Sequence, residues 1–485
     1  MKNLINKMKK NWLTKTITTI LLMAILITIF ILLNLWAKNI NLPMFDITPE
    51  KLYSLSNDSK AQMEKIQKEV VMYFFGYEEN SVVIDLAKQY QECNEHIMVE
   101  VVDLTARPDL KEEYGLESDT QAIVVEAGSK SKIIMPNELY SYDYTTGEEI
   151  DLIEQKLTNA VLDTTIDKKP NVYVLTSHGE YSINSESSGK TMQLMAAYIV
   201  NDINNINSLD LLVEEKVPEN CDVLMIATPE KDFSEVETNK IIDYIQRGGK
   251  ILWLNDPVFS QQEFTNIQRI LDLYGISFGK GIMVETDSAR IVFQNPELIR
   301  PDVATHRITQ GIDTDGGVMF MDATKINLVG EEEREKLNLT VNELLRSSEK
   351  SFFRSDLSIS SYSATEKDEK GSALLGAEIV KKVKEDTEST LIVYASNLFA
   401  SDTSLTIGNS YAQVLMLYNN KDLVLNSIAY LSEREDAITI RKNVGSVTYT
   451  ATQQQHNIIQ AVIFSVPVII IIAGLVVWQI RRRKK

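Results

Sequence analysis

The sequence predicts an α/β protein held between two membrane-spanning helices. Three observations carry that expectation. Charge-free apolar runs stand near either end, at 16–37 and 457–480. Each has a basic cluster on its outer side: Lys2, Lys7, Lys9, Lys10 and Lys15 before the first, and Arg481, Arg482, Arg483, Lys484 and Lys485 after the second. Between the runs, short apolar strands alternate with helical segments, the order that layered α/β folds produce.

About 20 apolar residues cross a bilayer, and basic flanks stay on its cytoplasmic side. The tails 1–15 and 481–485 are therefore expected in the cytoplasm, with residues 38–456 outside the cytoplasmic membrane. Charge agrees with this. The chain holds 49 basic and 68 acidic residues. The two tails take ten of the basic and none of the acidic ones, so the segment between carries 39 against 68, a formal charge of −29. Such a segment repels anionic headgroups and argues against nucleic acid as a partner.

The first external domain is expected over 45–165. Ser56 suits a helix N-cap before 58–68. Residues 70–75 read as a strand, 82–91 as a helix and 97–103 as a second strand. The segments 121–126 and 132–136 form a hairpin across Gly128-Ser129, and 151–162 has helical spacing. Strand, helix, strand, hairpin, helix is compatible with a thioredoxin-like topology. No Cys-x-x-Cys accompanies it, so redox chemistry is not implied.

A polar stretch at 163–170 marks a boundary, and 166–440 is expected to be a larger, doubly wound, Rossmann-like domain. Its strands, 171–175, 222–227, 250–254 and 391–395, each run into a polar turn. Ser234 and Glu237 make a capping box for a helix with Ile241, Ile242 and Ile245 on one face. Gly248-Gly249 stops that helix where a positive φ is needed. A crossover this short between parallel strands is right-handed in nearly all cases. A further helix over 267–274 ends at Gly275. The charge run 331–336 reads as a solvated face or helix start. The Ser-rich, charged stretch 355–371 reads as a mobile surface loop.

In such sheets ligands lie beyond the carboxyl ends of the strands. The polar turns there supply His178, Glu180, Asn255, Asp256, Asn397 and Asp402 as a candidate ligand or interaction edge. His178 and Glu180 have the chemistry of a general base or a hydrogen-bonded pair. Polar, Gly-rich strand ends also serve simply to turn the chain. The other chemical signals are weak. Gly189-Lys190-Thr191 resembles the end of a P-loop, but Asn184 stands where its first glycine belongs. There is no Gly-x-Ser-x-Gly elbow. The four histidines are scattered, and the two cysteines, Cys93 and Cys221, are no disulfide framework. Catalysis, a cofactor and a resident metal are therefore not expected.

Several stretches together resemble the GldG family, the auxiliary membrane component of a gliding-motility-type ABC transport system. They are 45–56; 172–180, ending in His178-Gly179-Glu180; 222–257, with Gly248-Gly249-Lys250 and Asn255-Asp256-Pro257; and 391–433, where Ser396-Asn397 precedes Asn426-Ser427-Ile428-Ala429. Leu344-Leu345-Arg346-Ser347-Ser348 with Phe352-Phe353 is a weaker match. The resemblance implies a second domain akin to glutamine-amidotransferase-like folds. It also implies a non-catalytic substrate-binding or coupling subunit working with a separate ABC ATPase and a membrane permease. The alternatives are a cell-surface hydrolase or transferase using the His178/Glu180 edge, and a structural envelope scaffold.

Overall fold

The computed structural model describes residues 54–434, except 104, 118–119, 143–148, 185–188, 258–262, 313–315, 360 and 408–409, together with Ile25, Thr28 and Leu32. From Leu55 onward these belong to one compact unit. Three apolar cores lie within it among the described residues: one drawn from residues 55–161, a small one of Phe75, Val102, Leu110, Leu116, Ala122 and Val124, and the largest from 172–431.

The smaller part opens with α1 (Asn57–Met63), capped by the Ser56 side chain, which accepts from Ser59 N. Next come β1 (Val70–Phe75), α2 (Val82–Cys93), β2 (Ile97–Val102) and α3 (Pro108–Tyr114). The hairpin β3 (Ala122–Ala127) and β4 (Lys130–Ile134) follows, and then α4 (Ile153–Thr165). The strand order is β2-β1-β3-β4, with β1 and β2 parallel and the hairpin antiparallel to β1. Strand β2 is an edge, and its amides are partly occupied. Ile97 N donates to Asn94 O at 3.1 Å and Val99 N to Gln91 Oε1 at 3.3 Å, which blunts the edge against pairing with another chain.

The larger part is a ten-stranded mixed sheet. Its strands are β5 (Asn171–Leu175), β6 (Asn205–Leu209), β7 (Val223–Ala227), β8 (Lys250–Leu254), β9 (Ile276–Phe278), β10 (Asp302–Val303), β11 (Ile326–Leu328), β12 (Leu339–Arg346), β13 (Leu374–Lys384) and β14 (Thr387–Tyr394). The order is β9-β11-β13-β14-β8-β7-β5-β6, with β12 on β13 and β10 on β12. The helices are α5 (Gln193–Asn201), α6 (Glu235–Gln246), α7 (Thr265–Asp272), α8 (Glu331–Lys336) and α9 (Asn420–Leu431).

The expected fold class needs correction. Among the described residues no helix is long and apolar enough to cross a membrane. The longest, α4, has 13 residues, about 20 Å at 1.5 Å per residue, against roughly 30 Å of hydrocarbon. The two expected transmembrane helices are therefore no part of the described fold. The runs 16–37 and 457–480, apart from Ile25, Thr28 and Leu32, lie outside the described residues.

The doubly wound parallel sheet also describes only part of 166–440. Strands β14, β8, β7, β5 and β6 run parallel, while β9 to β13 join through antiparallel pairs. The physical cause is the β13–β14 hairpin. A tight turn reverses the chain there, and parallel neighbours need a long crossover instead.

The stretch 355–371, expected as a surface loop, is tied to the body through Arg354. Arg354 forms a buried pair with Asp368, Nη2 to Oδ2 at 2.8 Å, and donates to carbonyls of Ile359, Ser361 and Ser363.

The α6–β8 junction shows why two glycines stand together. Gly248 takes φ +86°, and a Cβ on Gly249 would lie 2.3 Å from the Tyr244 ring. Tyr244 is pinned there, its hydroxyl donating to Lys250 O at 3.1 Å and accepting from Lys250 N at 3.1 Å. Gly249→Ala is therefore expected to destabilise the fold by about 1–3 kcal/mol through overpacking. The shift in urea midpoint measures it; an unchanged midpoint rules out this packing account.

Candidate functional site

The site grows from the carboxyl ends of the parallel strands, where four loops are laced one to the next. Beyond β5, Ser177 (φ 91°) and Gly179 (φ 80°) flank His178. The His178 carbonyl accepts from Glu230 N at 2.8 Å and Lys231 N at 3.1 Å, and Tyr181 N donates to Ala227 O at 3.1 Å. That ties the β5 loop to the β7 loop. Thr228 Oγ1 accepts from Asp256 N at 3.0 Å, tying β7 to β8. Asp256 Oδ1 accepts from Asn397 N at 2.5 Å and Leu398 N at 2.9 Å, tying β8 to β14.

The expected edge residues therefore fall into three groups. His178 and Glu180 pack together: His178 N donates to Glu180 Oε2 at 2.6 Å, and Nδ1 lies 3.6 Å from Oε1. Asp256 and Asn397 meet at the next loop. Asn255 beside them is held locally, its amide donating to Asp256 O at 2.9 Å and accepting from Trp253 Nε1 at 3.4 Å. Asp402 is engaged elsewhere on the edge, where it caps α5 by accepting from Gln193 N at 2.8 Å and Leu194 N at 3.0 Å.

Some partners were not legible in the sequence. Glu237 reads only as half of a capping box, and it is that, accepting from Ser234 N at 2.9 Å. Its other oxygen faces His178 Nε2 at 3.3 Å, so the imidazole stands between two carboxylates. The Phe233 ring meets the imidazole edge-on, centroids 4.9 Å apart. Tyr181, which directly follows the His178-Gly179-Glu180 turn, lies close enough to Asp256 for each to act on the other's ionisation. That adjacency was the available signal for it.

Burial sets the electrostatics. It pushes the Glu180 carboxyl up, while backbone amides and His178 pull the other way. Burial also pushes Asp256 up, partly offset by the Asn397 and Leu398 amides, the Tyr181 hydroxyl and the Lys190 ammonium. Tyr181 is pushed up by burial and by Asp256. Three buried atoms of the His178 group, its own Nδ1, Glu180 Oε1 and Glu237 Oε1, complete no hydrogen bond. The Asn397 amide, wholly buried, approaches the Tyr181 hydroxyl yet completes no hydrogen bond of normal geometry with either of its atoms.

Glu237→Ala removes the return half of the capping box and the carboxylate that faces His178 Nε2 at 3.3 Å. A loss of about 1–3 kcal/mol is expected from the missing cap plus the space left beside the buried imidazole. Ser234→Ala should lose only the cap, about 1 kcal/mol. Equal losses in the two variants, read by chemical denaturation, count against the His178 contact.

The opposite edge of the sheet carries two clefts. One, of about 320 Å³, is lined by Cys221, Asp222, Tyr244, Arg247, Lys250 and Glu433. The other, of about 460 Å³, is lined by Asn171, Tyr173, Asn204, Asn205, Asn207 and Asn220. Both lie at the amino ends of the strands. Cys93 and Cys221 are both free thiols. The Cys221 thiol is buried and thereby pushed up to about 12, so it is protonated at neutral pH and stands across the sheet from His178.

The family model described as ABC-type uncharacterized transport system matches residues 169–427, just over half of the chain, and takes in all four laced loops. The chain belongs to this family of auxiliary ABC transport proteins. None of the curated proteins matches it. Among solved structures it is similar to the mmIFT52 N-terminal domain, at 14% identity and TM-score 0.38, covering 54% of this chain and 97% of that one. A ThuA-like protein from Bacteroides uniformis matches at 11% identity and TM-score 0.32, covering 55% and 93%. The exo-beta-1,4-mannosidase Op5Man5 from Opitutaceae bacterium strain TAV5 matches at 13% and TM-score 0.26, covering 66% and 44%. Likenesses this weak carry no inference about function.

Proposed function

We propose that this family member is a GldG-type, non-catalytic accessory subunit that works at the cytoplasmic membrane beside a separate ABC ATPase and a permease. Its described region lies on the outer side, where it binds substrate or passes on the ATP-driven movement. The observation that carries this reading is the family match over 169–427. Two others support it. The −29 formal charge of residues 38–456 suits a module held clear of anionic headgroups. The chain also enters the large sheet just before Asn171 and leaves it after α9 at Ser432–Arg434, where Arg434 donates to Asp202 O at 3.0 Å. Both points are at the amino edge, so the carboxyl edge with His178, Glu180, Asn255, Asp256 and Asn397 is left for a partner or a ligand. The regions 45–165 and 166–440 act as its two modules.

The test is purification of the tagged full-length chain from its native membrane under mild conditions. An ATPase and a multi-span permease should co-purify in fixed proportion. Recovery of neither overturns the reading.

A further inference from the structure

The cleft of about 460 Å³ at the amino edge is built unlike the rest of the parallel sheet. Parallel strands are ordinarily covered on both faces and read as continuous apolar runs. Strand β7 does so, and Val223–Ala227 is buried throughout. The edge strand β6 does not: it opens Asn205-Ile206-Asn207-Ser208, with Asn205, Asn207 and Ser208 exposed. In the register of the parallel pair, Asn205 stands beside Asn171 of β5 and Asn207 beside Tyr173. Residues two apart along a strand share a face, so these four form two rows on one face of the sheet. Asn220, from the turn before β7, joins them: the Tyr173 hydroxyl donates to its Oδ1 at 3.3 Å.

The side chains are partly tied to one another and partly left over. Asn205 Nδ2 donates to Asn171 Oδ1 at 3.1 Å, and Asn171 Nδ2 donates to Asp222 Oδ2 at 3.3 Å. Those bonds fix the row nearest the chain's entry into the sheet. Among the described residues, Asn205 Oδ1, Asn220 Nδ2 and both atoms of the Asn207 amide complete no hydrogen bond, and all three side chains line the cleft. Tyr173, half-buried between them, adds an aromatic body. The lining is also uncharged in effect. Lys169 is the one ionic residue in it, and its ammonium is paired with Asp163.

These features select a ligand class. The volume falls within the range of about 300–1,000 Å³ of small-ligand sites. A carboxamide donates and accepts at once, which matches a hydroxyl that does the same. With no unpaired charge in the lining, the site favours neither an anion nor a cation. A tyrosine offers an apolar ring face beside its polar tip, which suits a molecule with a flat C–H face and a rim of hydroxyls. We propose that this cleft binds a neutral carbohydrate, with a sugar ring against Tyr173 and its hydroxyls bonded by Asn205, Asn207 and Asn220. The site goes beyond the accessory-subunit reading and lies at the opposite edge of the sheet from His178.

The experiment is calorimetric titration of the purified full-length chain with maltotriose, cellotriose and triacetylchitotriose, against trialanine. Saturable binding of at least one trisaccharide is expected. Asn207→Ala removes an exposed amide that completes no side-chain hydrogen bond, and Tyr173→Leu keeps an apolar body without the ring. Each should weaken binding at least about tenfold, and Asn207→Ala should leave the melting temperature unchanged. Absence of saturable binding by all three sugars, or binding that survives both substitutions, overturns the assignment. Saturable binding of trialanine in place of the sugars overturns the ligand class. Co-purification of ATPase and permease tests the accessory-subunit reading independently, so the two can fail separately.

Discussion

Arg354→Leu is expected to cost about 3–5 kcal/mol of folding stability, the range for breaking a buried ion pair by removing one partner. Both side chains are almost fully buried, at 3% and 2% exposure. Arg354 Nε reaches Asp368 Oδ1 at 3.2 Å, and the guanidinium stacks 4.8 Å above the Phe352 ring centroid. Without it Asp368 retains only Thr365, whose N donates at 2.7 Å and Oγ1 at 3.0 Å. A leucine cannot hold the carbonyls of Ile359, Ser361 and Ser363, so limited proteolysis should appear within 355–368. The double variant Arg354→Leu, Asp368→Leu should recover much of the loss, because no charge is then stranded.

The pH sign follows from Asp368. Its carboxyl is held well below the usual range by Arg354, and also by Thr365. A depressed folded-state value stabilises above the unfolded value of about 3.9 and is lost as pH falls below it. Urea midpoints measured down to about pH 3 should therefore fall in the parent and stay flatter in the double variant. Full stability in Arg354→Leu sinks this account.

Asp256→Ala is the second large effect. It removes the acceptor for Asn397 N and Leu398 N together. Each unsatisfied buried donor costs about 1–3 kcal/mol, so a total near 3 kcal/mol is expected after partial relaxation. Asp256→Asn keeps one acceptor oxygen and should lose less. It also changes the pH profile. A carboxyl raised by burial binds more protons folded than unfolded, so its share of stability falls as pH rises from about 4 toward the raised value. The Asn variant should lack that slope. A variant Asp256→Ala as stable as the parent, by chemical denaturation, means the loops beyond β8 and β14 are not held through this carboxylate.

Local pattern was enough for the parallel strands. Asn171–Leu175 and Lys250–Leu254 are short apolar runs closed by turn residues, and the Ser234/Glu237 box marks the start of α6 from four residues alone. The antiparallel half was harder. In β13 a buried Glu378 breaks the apolar pattern, and its charge is made tenable by distant residues: His306 Nε2 at 3.3 Å and Asn342 Nδ2 at 2.6 Å. Burial pushes that carboxyl up, but bonds from His306, Tyr430 and Asn342 outweigh it and hold it below its usual value. The ties of the 355–371 loop are hidden for a like reason, since Arg354 and Asp368 are 14 residues apart and nothing local pairs them.

The candidate edge divides the same way. The polar residues at the strand ends, His178, Glu180, Asp256 and Asn397, are legible because a parallel sheet puts such turns at one edge. Their occupation is not. Asp402 caps a helix that begins 209 residues earlier in the chain, and Glu237 serves His178 as well as its own helix.

By itself the sequence determined the strands 171–175, 222–227, 250–254 and 391–395, the helix that starts at Ser234 and its stop at Gly248, and the acidic balance of the region between the two basic tails. These depend on side-chain type and on spacings of a few residues. Only the tertiary structure decided the mixed sheet, the tied loop and the lacing of the four strand-end loops through His178, Thr228 and Asp256. Those depend on charges and hydrogen bonds between residues far apart in the chain, where burial, not sequence distance, sets the energy.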